Sequence, residues 1–515
     1  MMIAPARPAS TASGILPADF SEVQLANALA AMPVHIEGVT ASSRDARRGF
    51  VFLAYPGAAR DGREFIADAI ARGVSAVLFD PQTFVWDANW KAPHLGVPDL
   101  KSHASQIAGH VYGHPAEALW MIGVTGTNGK TSVSQWIAQA LKLAGRQTAV
   151  IGTIGNGIVG DLKPSDNTTP DAVTLQRILR DYAHDGATAC AMEVSSHGLD
   201  QGRVADVKYD IAVFTNLTRD HLDYHGTMEA YGEAKAKLFS MRGVKHAVIN
   251  VDDPFGATLA SRLVKRLANE SGIQLIRTSV RQNGIVANLA AKNIAVSPAG
   301  VTFEVAGEFG NAHVDSAILG AFNVGNLLQV IGALLASGIS LVDAAEIVGK
   351  LPPVPGRMQT LRETGKPLVV VDYAHTPDAL EKALSTLAAI VPENGRLISV
   401  FGCGGNRDRG KRPLMGAISA RYADLSIVTS DNPRSENPLA IIADIEEGMR
   451  NMAHRAVADR HQAIYEALND AHASDIVMIA GKGHEEYQII GETKHHFSDI
   501  EVAGEALAAW KGGRA

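Results

Sequence analysis

Residues 123–131 read Gly123-Val-Thr-Gly126-Thr-Asn-Gly129-Lys130-Thr131, and the reading of this stretch decides the fold. The apolar run 119–125 before it predicts a strand. Residues 131–144 after it predict a helix closed by Gly145. A second strand is predicted at 148–154. Strand, glycine turn, helix and strand make a βαβ unit, which demands a parallel sheet. Glycines let backbone N–H groups turn toward an anion, and the helix N-terminus adds partial positive charge. Lys130 is placed to reach the β/γ phosphates, and the Thr131 hydroxyl can ligate Mg²⁺. The stretch departs from the generic phosphate loop, because Val124 stands five positions before Gly129 where glycine is usual. A ligand-free glycine turn is the plainer alternative. The strand before, the helix after and three spaced glycines favour nucleotide binding, with Gly126, Thr127, Asn128, Gly129, Lys130, Thr131 and Ser132 as candidate contacts.

Outward from the loop, more strands are predicted at 188–193, 211–215 and 246–250, β-rich antiparallel sequence at 274–308, and a long helix at 323–336. Upstream, strands at 49–54 and 74–79 flank a helix at 64–72 closed by Gly73, and a helix at 101–111 follows. Downstream of Pro352, Pro353 and Pro355 the alternation restarts, with strands at 368–371, 397–401, 425–429 and 474–479 and a helix at 378–389. The expected architecture is α/β in three domains: 1–112, 113–350 around a parallel sheet, and a smaller Rossmann-like 351–515.

The chain has 515 residues, 46% hydrophobic and 20% charged, enough apolar sequence for cores of ordinary size. Its 47 Lys+Arg against 54 Asp+Glu give a net charge of −7, and no long basic run occurs, which argues against nucleic acid as a partner. The two cysteines, Cys190 and Cys403, exclude a disulfide scaffold and fit a reducing compartment. The most apolar stretch, 327–342, is interrupted by Gln329, Ser337, Gly338 and Ser340 and is too short to span a bilayer. The first residues carry one arginine and no apolar run, so a loose tail to about Ser13 is expected and a signal peptide is not. A cytoplasmic monomer is expected.

Three strand ends carry further chemistry. Glu193, at the end of 188–193, sits where an open parallel sheet binds ligands and suits Mg²⁺. His221 follows the strand at 211–215 and is a second candidate ligand, although a lone histidine is more often structural. In a helix predicted over 227–241, Tyr231, Lys235, Leu238 and Phe239 share one face. Lys235 therefore projects from an apolar stripe. Either its stem snorkels to water or its amine is neutralised or modified. The run Asn167-Thr168-Thr169-Pro170-Asp171 offers hydroxyls and N–H groups at a helix start, which is also what a simple N-cap would need.

GVTGTNGKT resembles the ATP loop of the Mur ligases, the amide-forming enzymes of peptidoglycan precursor synthesis and their folylpolyglutamate synthase relatives. The resemblance extends from about Ser42 to about Ser498, with motifs in the expected order. It implies an N-terminal UDP-binding domain, a central ATPase domain and a C-terminal amino-acid-binding domain. It implies that NLTRDHLDYHG supplies a Mg²⁺ ligand, His221. The Tyr231–Lys235 pattern implies a carbamate, made from CO₂ on Lys235, that turns a cation into a metal-ligating carboxylate. Two Mg²⁺ sites then draw on Thr131, Glu193, His221 and the modified Lys235. Asn167, Thr168, Thr169, Ser195, Gln201 and Arg203 are implied to hold the substrate UDP-MurNAc-L-Ala-D-Glu. Ser43 is implied to meet the uridine, in a region where Ala46-Arg-Arg-Gly49 departs from the usual Gly-Asp pair. Asn323, Arg357, and the Asp372 and His375 of DYAHTP are implied nucleotide contacts, with Lys130, Lys235 and Arg357 catalytic. Arg357 would reach the γ-phosphate only on closure of its domain.

The run Asp431-Asn432-Pro433-Arg434 resembles the signature of family members that add meso-diaminopimelate. A guanidinium can grip that amino acid's distal carboxylate through two parallel hydrogen bonds. With lysine it would stay unpaired, a penalty that discriminates. Arg407 and Arg434 are thereby assigned to carboxylates, Glu485 and the Gly481 backbone to the distal amine, and Asp431, Asn432 and Pro433 to pocket shape. The implied reaction is ATP-dependent amide formation through an acyl phosphate. The alternatives are a lysine-adding enzyme of the same family and a non-enzymatic phosphate-loop regulator.

Overall fold

In the computed structural model the described residues are 13–57, 60–165, 167–267, 272–281, 287–449 and 452–512. The N-terminal tail expectation falls outside them, apart from Ser13. Two compact units divide between Arg277 and Thr278.

The first unit contains two sheets. One is parallel throughout, in the order Ser13–Ile15, His94–Gly96, Ala76–Phe79, Phe50–Ala54, Gly38–Thr40. Its core gathers Leu25, Leu29, Val51, Leu53, Leu78, Leu100 and Ile107, together with Ala172 and Val173 from helix Ala172–His184. The 167–171 loop is thus tied at its far end into this sheet's own core. The second sheet runs His246–Asn250, Ile211–Phe214, Trp120–Thr125, Ala189–Glu193, Thr148–Ile151, all parallel. Strands buried on both faces read as continuous apolar runs, and Trp120–Thr125 and Ala189–Glu193 do. Helix Lys130–Leu143 follows the glycine turn as predicted, and Gly145 closes it at φ 86°.

Two elements differ from their predicted form in this unit. The strand starting at Thr148 stops at Ile151, because the Gly152 N–H donates to the Asn156 side chain (3.0 Å) and the chain turns into the antiparallel strand Asn156–Ile158. The helix predicted over 227–241 is α-helical only over Met228–Ala236 and tightens to a 3₁₀ turn over Lys237–Ser240. Tyr231, Lys235, Leu238 and Phe239 are nonetheless all buried.

In the second unit, Leu289–Ser297, Gly300–Gly307 and Gly310–Ser316 form an antiparallel meander. The sequence leads to the expectation of antiparallel pairing over 274–308, but Thr278 and Ser279 pair in parallel with Leu289 and Ala290. Helices Ala321–Ala336 and Leu341–Gly349 pack on this meander. A further sheet has the order Gln359–Leu361, Leu368–Asp372, Ile476–Ala480, Leu397–Phe401, Leu425–Val428, His454–Ala456, parallel except for the first strand. Apolar cores lie on both of its faces.

Arg460 pins the carboxyl ends of this sheet. It is 2% exposed and makes two 2.7 Å bonds to Asp499, itself fully buried. Its remaining donors reach the carbonyls of Ser430 (3.2 Å) and Ala480 (3.0 Å), each one residue before a candidate amino-acid loop. Arg460→Ala leaves a buried carboxylate unpaired, and a loss of about 3–5 kcal/mol is expected. Chemical denaturation checks this. A loss below about 1 kcal/mol would show that water reaches Asp499 freely.

Candidate functional site

The phosphate loop is built by backbone conformation first. Gly126 has φ 149°, and a Cβ there would stand 1.8 Å from Thr215 Oγ1. The loop is braced from the neighbouring strand end. Thr127 N donates to Asn216 O (2.8 Å), Asn128 N to Asn216 Oδ1 (3.0 Å), and Thr215 Oγ1 to Asn128 O (2.6 Å). Thr127 Oγ1 takes the Thr218 N–H at 3.0 Å and lies 3.2 Å from the Tyr231 hydroxyl. Lys130 Nζ lies back on the loop, donating to the carbonyls of Gly126 and Thr127, both at 2.9 Å.

Glu193 is 1% exposed beside the start of the loop's helix. Its Oε2 accepts the Thr131 hydroxyl (2.9 Å), and its Oε1 accepts the Thr153 N–H (2.7 Å). A hydroxyl and a carboxylate at the end of a phosphate loop are the hard oxygen donors that Mg²⁺ prefers. His221 is half exposed, with its Nε2 3.4 Å from an Asp220 oxygen, and it stacks edge-on against His197 at 4.9 Å. Among the described residues no three His, Cys, Asp or Glu side chains gather as a metal cluster. Thr131 and Glu193 are thus brought together.

Lys235 is 1% exposed, so its stem does not snorkel to water. Its Nζ donates to Gly126 O at 2.7 Å and sits 4.2 Å from the Tyr231 ring centre. Burial, reinforced by the Lys130 charge, holds its pKa well below the usual lysine value. A desolvated amine that gives up its proton readily is the form able to attack CO₂. The His221 ring lies edge-on to that of Tyr231, with centres 6.0 Å apart.

The predicted dipeptide residues converge. Thr169 Oγ1 donates to Glu193 O (2.9 Å) and accepts the Ser195 N–H (3.0 Å). Arg203 donates to Thr169 O (2.8 Å) and grips Gln201 Oε1 twice, at 2.9 and 2.7 Å. Thr168 Oγ1 is 3.0 Å from Thr153 Oγ1. The N-cap reading also holds, for Asp171 accepts the N–H groups of Val173 and Thr174. Ser195 likewise caps the turn Ser196–Asp200. Asn167 lies in the same loop, and Ser43 starts a 3₁₀ turn beside the first sheet. Tyr55, missed in the sequence, stands near Arg203 and Asp171, and burial with that carboxylate raises its pKa to about 12.

In the second unit, Asp372 lies at a strand end and accepts the N–H groups of Met358 (2.7 Å) and Ala374 (2.9 Å). Arg357 lies over the Tyr373 ring at 4.9 Å. Burial and Arg357 push the pKa of His484 down to about 4. His375 Nδ1 bonds Tyr373 O (2.8 Å), and Lys411 Nζ bonds His375 O (2.6 Å). Asn323 is buried, donating to Leu319 O (2.7 Å) and accepting from Asn326 (2.9 Å).

The three candidate amino-acid loops meet on one rim. Arg434, at φ 52°, donates to Gly405 O (2.9 Å), and its backbone pairs with Ile489 and Gly491. Asn432 Nδ2 donates to Glu485 Oε2 (2.9 Å). Gly481 has φ 121°, and a Cβ there would meet Asp431 Oδ2 at 2.9 Å. Arg407 is exposed, and its guanidinium donates to the Asn406 carbonyl at 3.3 Å. Pro433 turns the chain between Asn432 and Arg434, and its carbonyl faces Gly405.

Three family models match in order: Mur ligase family, catalytic domain, over 35–112; Mur ligase middle domain over 124–334; and Mur ligase, glutamate ligase domain, over 356–483. The chain belongs to the Mur ligase family. It is 51% identical over 476 residues to the UDP-N-acetylmuramoyl-L-alanyl-D-glutamate–2,6-diaminopimelate ligase of Chromobacterium violaceum, covering 92% of this chain and 95% of that one. The ligase of the same name from Neisseria meningitidis serogroup A is 49% identical, covering 91% and 94%. A solved structure of a ligase with this name matches with a TM-score of 0.69 at 40% identity, covering 92% of this chain and 95% of that one. A MurF ligase from Thermotoga maritima in complex with ADP shares the fold, with a TM-score of 0.62 at 18% identity over 92% and 97%.

Proposed function

We propose that the chain is the ATP-dependent ligase that joins meso-diaminopimelate to the D-glutamyl γ-carboxylate of UDP-MurNAc-L-Ala-D-Glu. The observation that carries this reading is the meeting of the DNPR, GCGGNR and GKGHE loops around Arg434 and Glu485, in a chain about half identical to ligases of that name. A carboxylate oxygen of the dipeptide takes the γ-phosphoryl group of ATP and ADP leaves. The diaminopimelate amine attacks the acyl carbon, a C–N bond forms, and the C–O bond to phosphate breaks.

The roles of individual residues belong to the same proposal. The loop N–H groups and Lys130 hold the triphosphate, and Lys130 swings from the Gly126 and Thr127 carbonyls to do so. Arg203, Gln201, Thr168, Thr169, Ser195, Asn167 and Ser43 hold the nucleotide-sugar dipeptide. Asn323, Arg357, Asp372 and His375 serve the nucleotide. Mg²⁺, held by Thr131 and Glu193 and by His221 with Lys235 as its carbamate, would supply charge neutralisation for phosphoryl transfer. Three domains, 1–112, 113–350 and 351–515, complete the proposal, as does a cytoplasmic location. No helix among the described residues is long and apolar enough to cross a membrane.

The test is phosphate release from ATP with the UDP-dipeptide, comparing meso-diaminopimelate with L-lysine. Diaminopimelate alone should drive turnover. Arg434→Ala is expected to raise its KM by roughly 10²-fold, because a charged bidentate contact is lost. Equal stimulation by lysine would overturn the amino-acid assignment. No stimulation by either would overturn the ligase reading and favour a regulator.

A further inference from the structure

Lys482 belongs to the GKGHE run but has no role in the reading above. Its side chain is 0% exposed, among the most deeply buried charged groups of the chain. Its Nζ donates to Asn432 Oδ1 (3.2 Å) and to Glu485 Oε2 (3.1 Å). The Tyr487 ring centre lies 5.5 Å away. The same Asn432 Oδ1 accepts the Ile489 N–H (2.9 Å), and the same Glu485 Oε2 accepts Asn432 Nδ2 (2.9 Å). Lysine, asparagine and glutamate thus close a triangle. Asn432 cannot flip without setting its amide against both Lys482 and the Ile489 N–H.

The geometry points to Lys482 as a positioning and specificity-determining residue that sets the charge of the amino-acid site. This inference rests on the ligase reading. A buried ammonium next to Glu485 cancels the carboxylate that would otherwise make this rim attractive to any cation. Both Lys482 and Asn432 engage Oε2, which leaves Oε1 to receive the ligand's distal ammonium. The distal end of meso-diaminopimelate carries an ammonium and a carboxylate and is neutral overall. That of lysine carries an ammonium alone. With Lys482 and Glu485 offsetting each other, and Asp431 offsetting one of the two arginines, Arg407 and Arg434 leave the rim net positive, which attracts the carboxylate and repels lysine. Removing the Lys482 charge while keeping its hydrogen bonds should weaken that discrimination without touching the ATP or UDP-dipeptide sites.

The experiment compares wild type, Lys482→Gln and Lys482→Arg by phosphate release with each amino acid, alongside KM for ATP and thermal melting. Lys482→Gln keeps a donor to Asn432 or Glu485. It is expected to lower the ratio of kcat/KM for meso-diaminopimelate over L-lysine by about tenfold or more, mostly through the amino-acid KM, with KM for ATP unchanged. Lys482→Arg keeps the charge and should keep the preference. An unchanged ratio in folded Lys482→Gln overturns the inference, since a purely structural lysine would change stability and not selectivity. If the glutamine variant cannot be recovered folded, the arginine variant decides: a folded Lys482→Arg that loses the preference overturns the charge argument. Wild type without diaminopimelate-dependent turnover would instead overturn the ligase reading beneath it.

Discussion

Lys235→Met should abolish ligase turnover, lowering kcat on the order of a thousandfold, while leaving the melting temperature equal or higher. The two halves of this result have different causes. Lys235 is 1% exposed, and among the described residues its ammonium has one hydrogen bond, to Gly126 O, and an aromatic face for company. Replacing a poorly compensated buried cation by an isosteric apolar chain removes a desolvation cost and adds packing against Tyr231, Leu238 and Phe239. A residue kept at such a cost has a use other than stability. If that use is to become a carboxylate ligand, methionine cannot substitute for it, and a thousandfold corresponds to about 4 kcal/mol of lost transition-state stabilisation. Nucleotide binding should survive, since the Thr215, Asn216 and Thr218 braces on the loop remain when the Lys235 bond to Gly126 O is lost. Steady-state turnover, calorimetric melting and ATP binding on the same preparation check all three. A variant that melts much lower and keeps measurable activity would mark Lys235 as structural.

Lys130→Ala is expected to be as damaging to catalysis, by about 10²–10³ in kcat, with a substantial loss of ATP affinity. Lys130 is the first residue of its helix and its Nζ spans two loop carbonyls, at 2.9 Å each. Those carbonyls are a resting place, because a phosphate offers the ammonium a stronger, charged acceptor. The substitution removes the cation without disturbing Gly126 or Gly129, which set the path of the loop. The fold should therefore be unchanged by circular dichroism while ATP-dependent phosphate release collapses. Retained turnover would show that the loop N–H groups alone carry the triphosphate.

Much of this was legible in the sequence because the signals are local. The glycine turn between an apolar strand and a helix specifies a βαβ unit within about thirty residues, and that unit is present. The Lys235 face was legible from helical spacing alone, although the helix tightens after Ala236. Lys482 and Tyr55 were not legible, because their roles arise only where separate strand ends meet. Arg460 and Asp499, 39 positions apart, show no pattern that either residue announces by itself. The Thr153 brace on Glu193 was hidden for a related reason: the strand was expected to run on to 154, and its early end at Ile151 is what frees the Thr153 N–H for the carboxylate.

Arg434 holds a left-handed backbone conformation while its side chain is tied to Gly405 and its backbone to Ile489 and Gly491. A residue locked from three directions resists gradual evolutionary change. A lineage moving from one amino acid to another could not do so by altering position 434 alone. The guanidinium's loss would orphan the Gly405 carbonyl, and the hairpin carrying Ile489 would keep the turn in place for a side chain no longer there. Drift at this locus should therefore be rare and its departures coordinated, with the 404–407, 431–434 and 481–491 segments changing together.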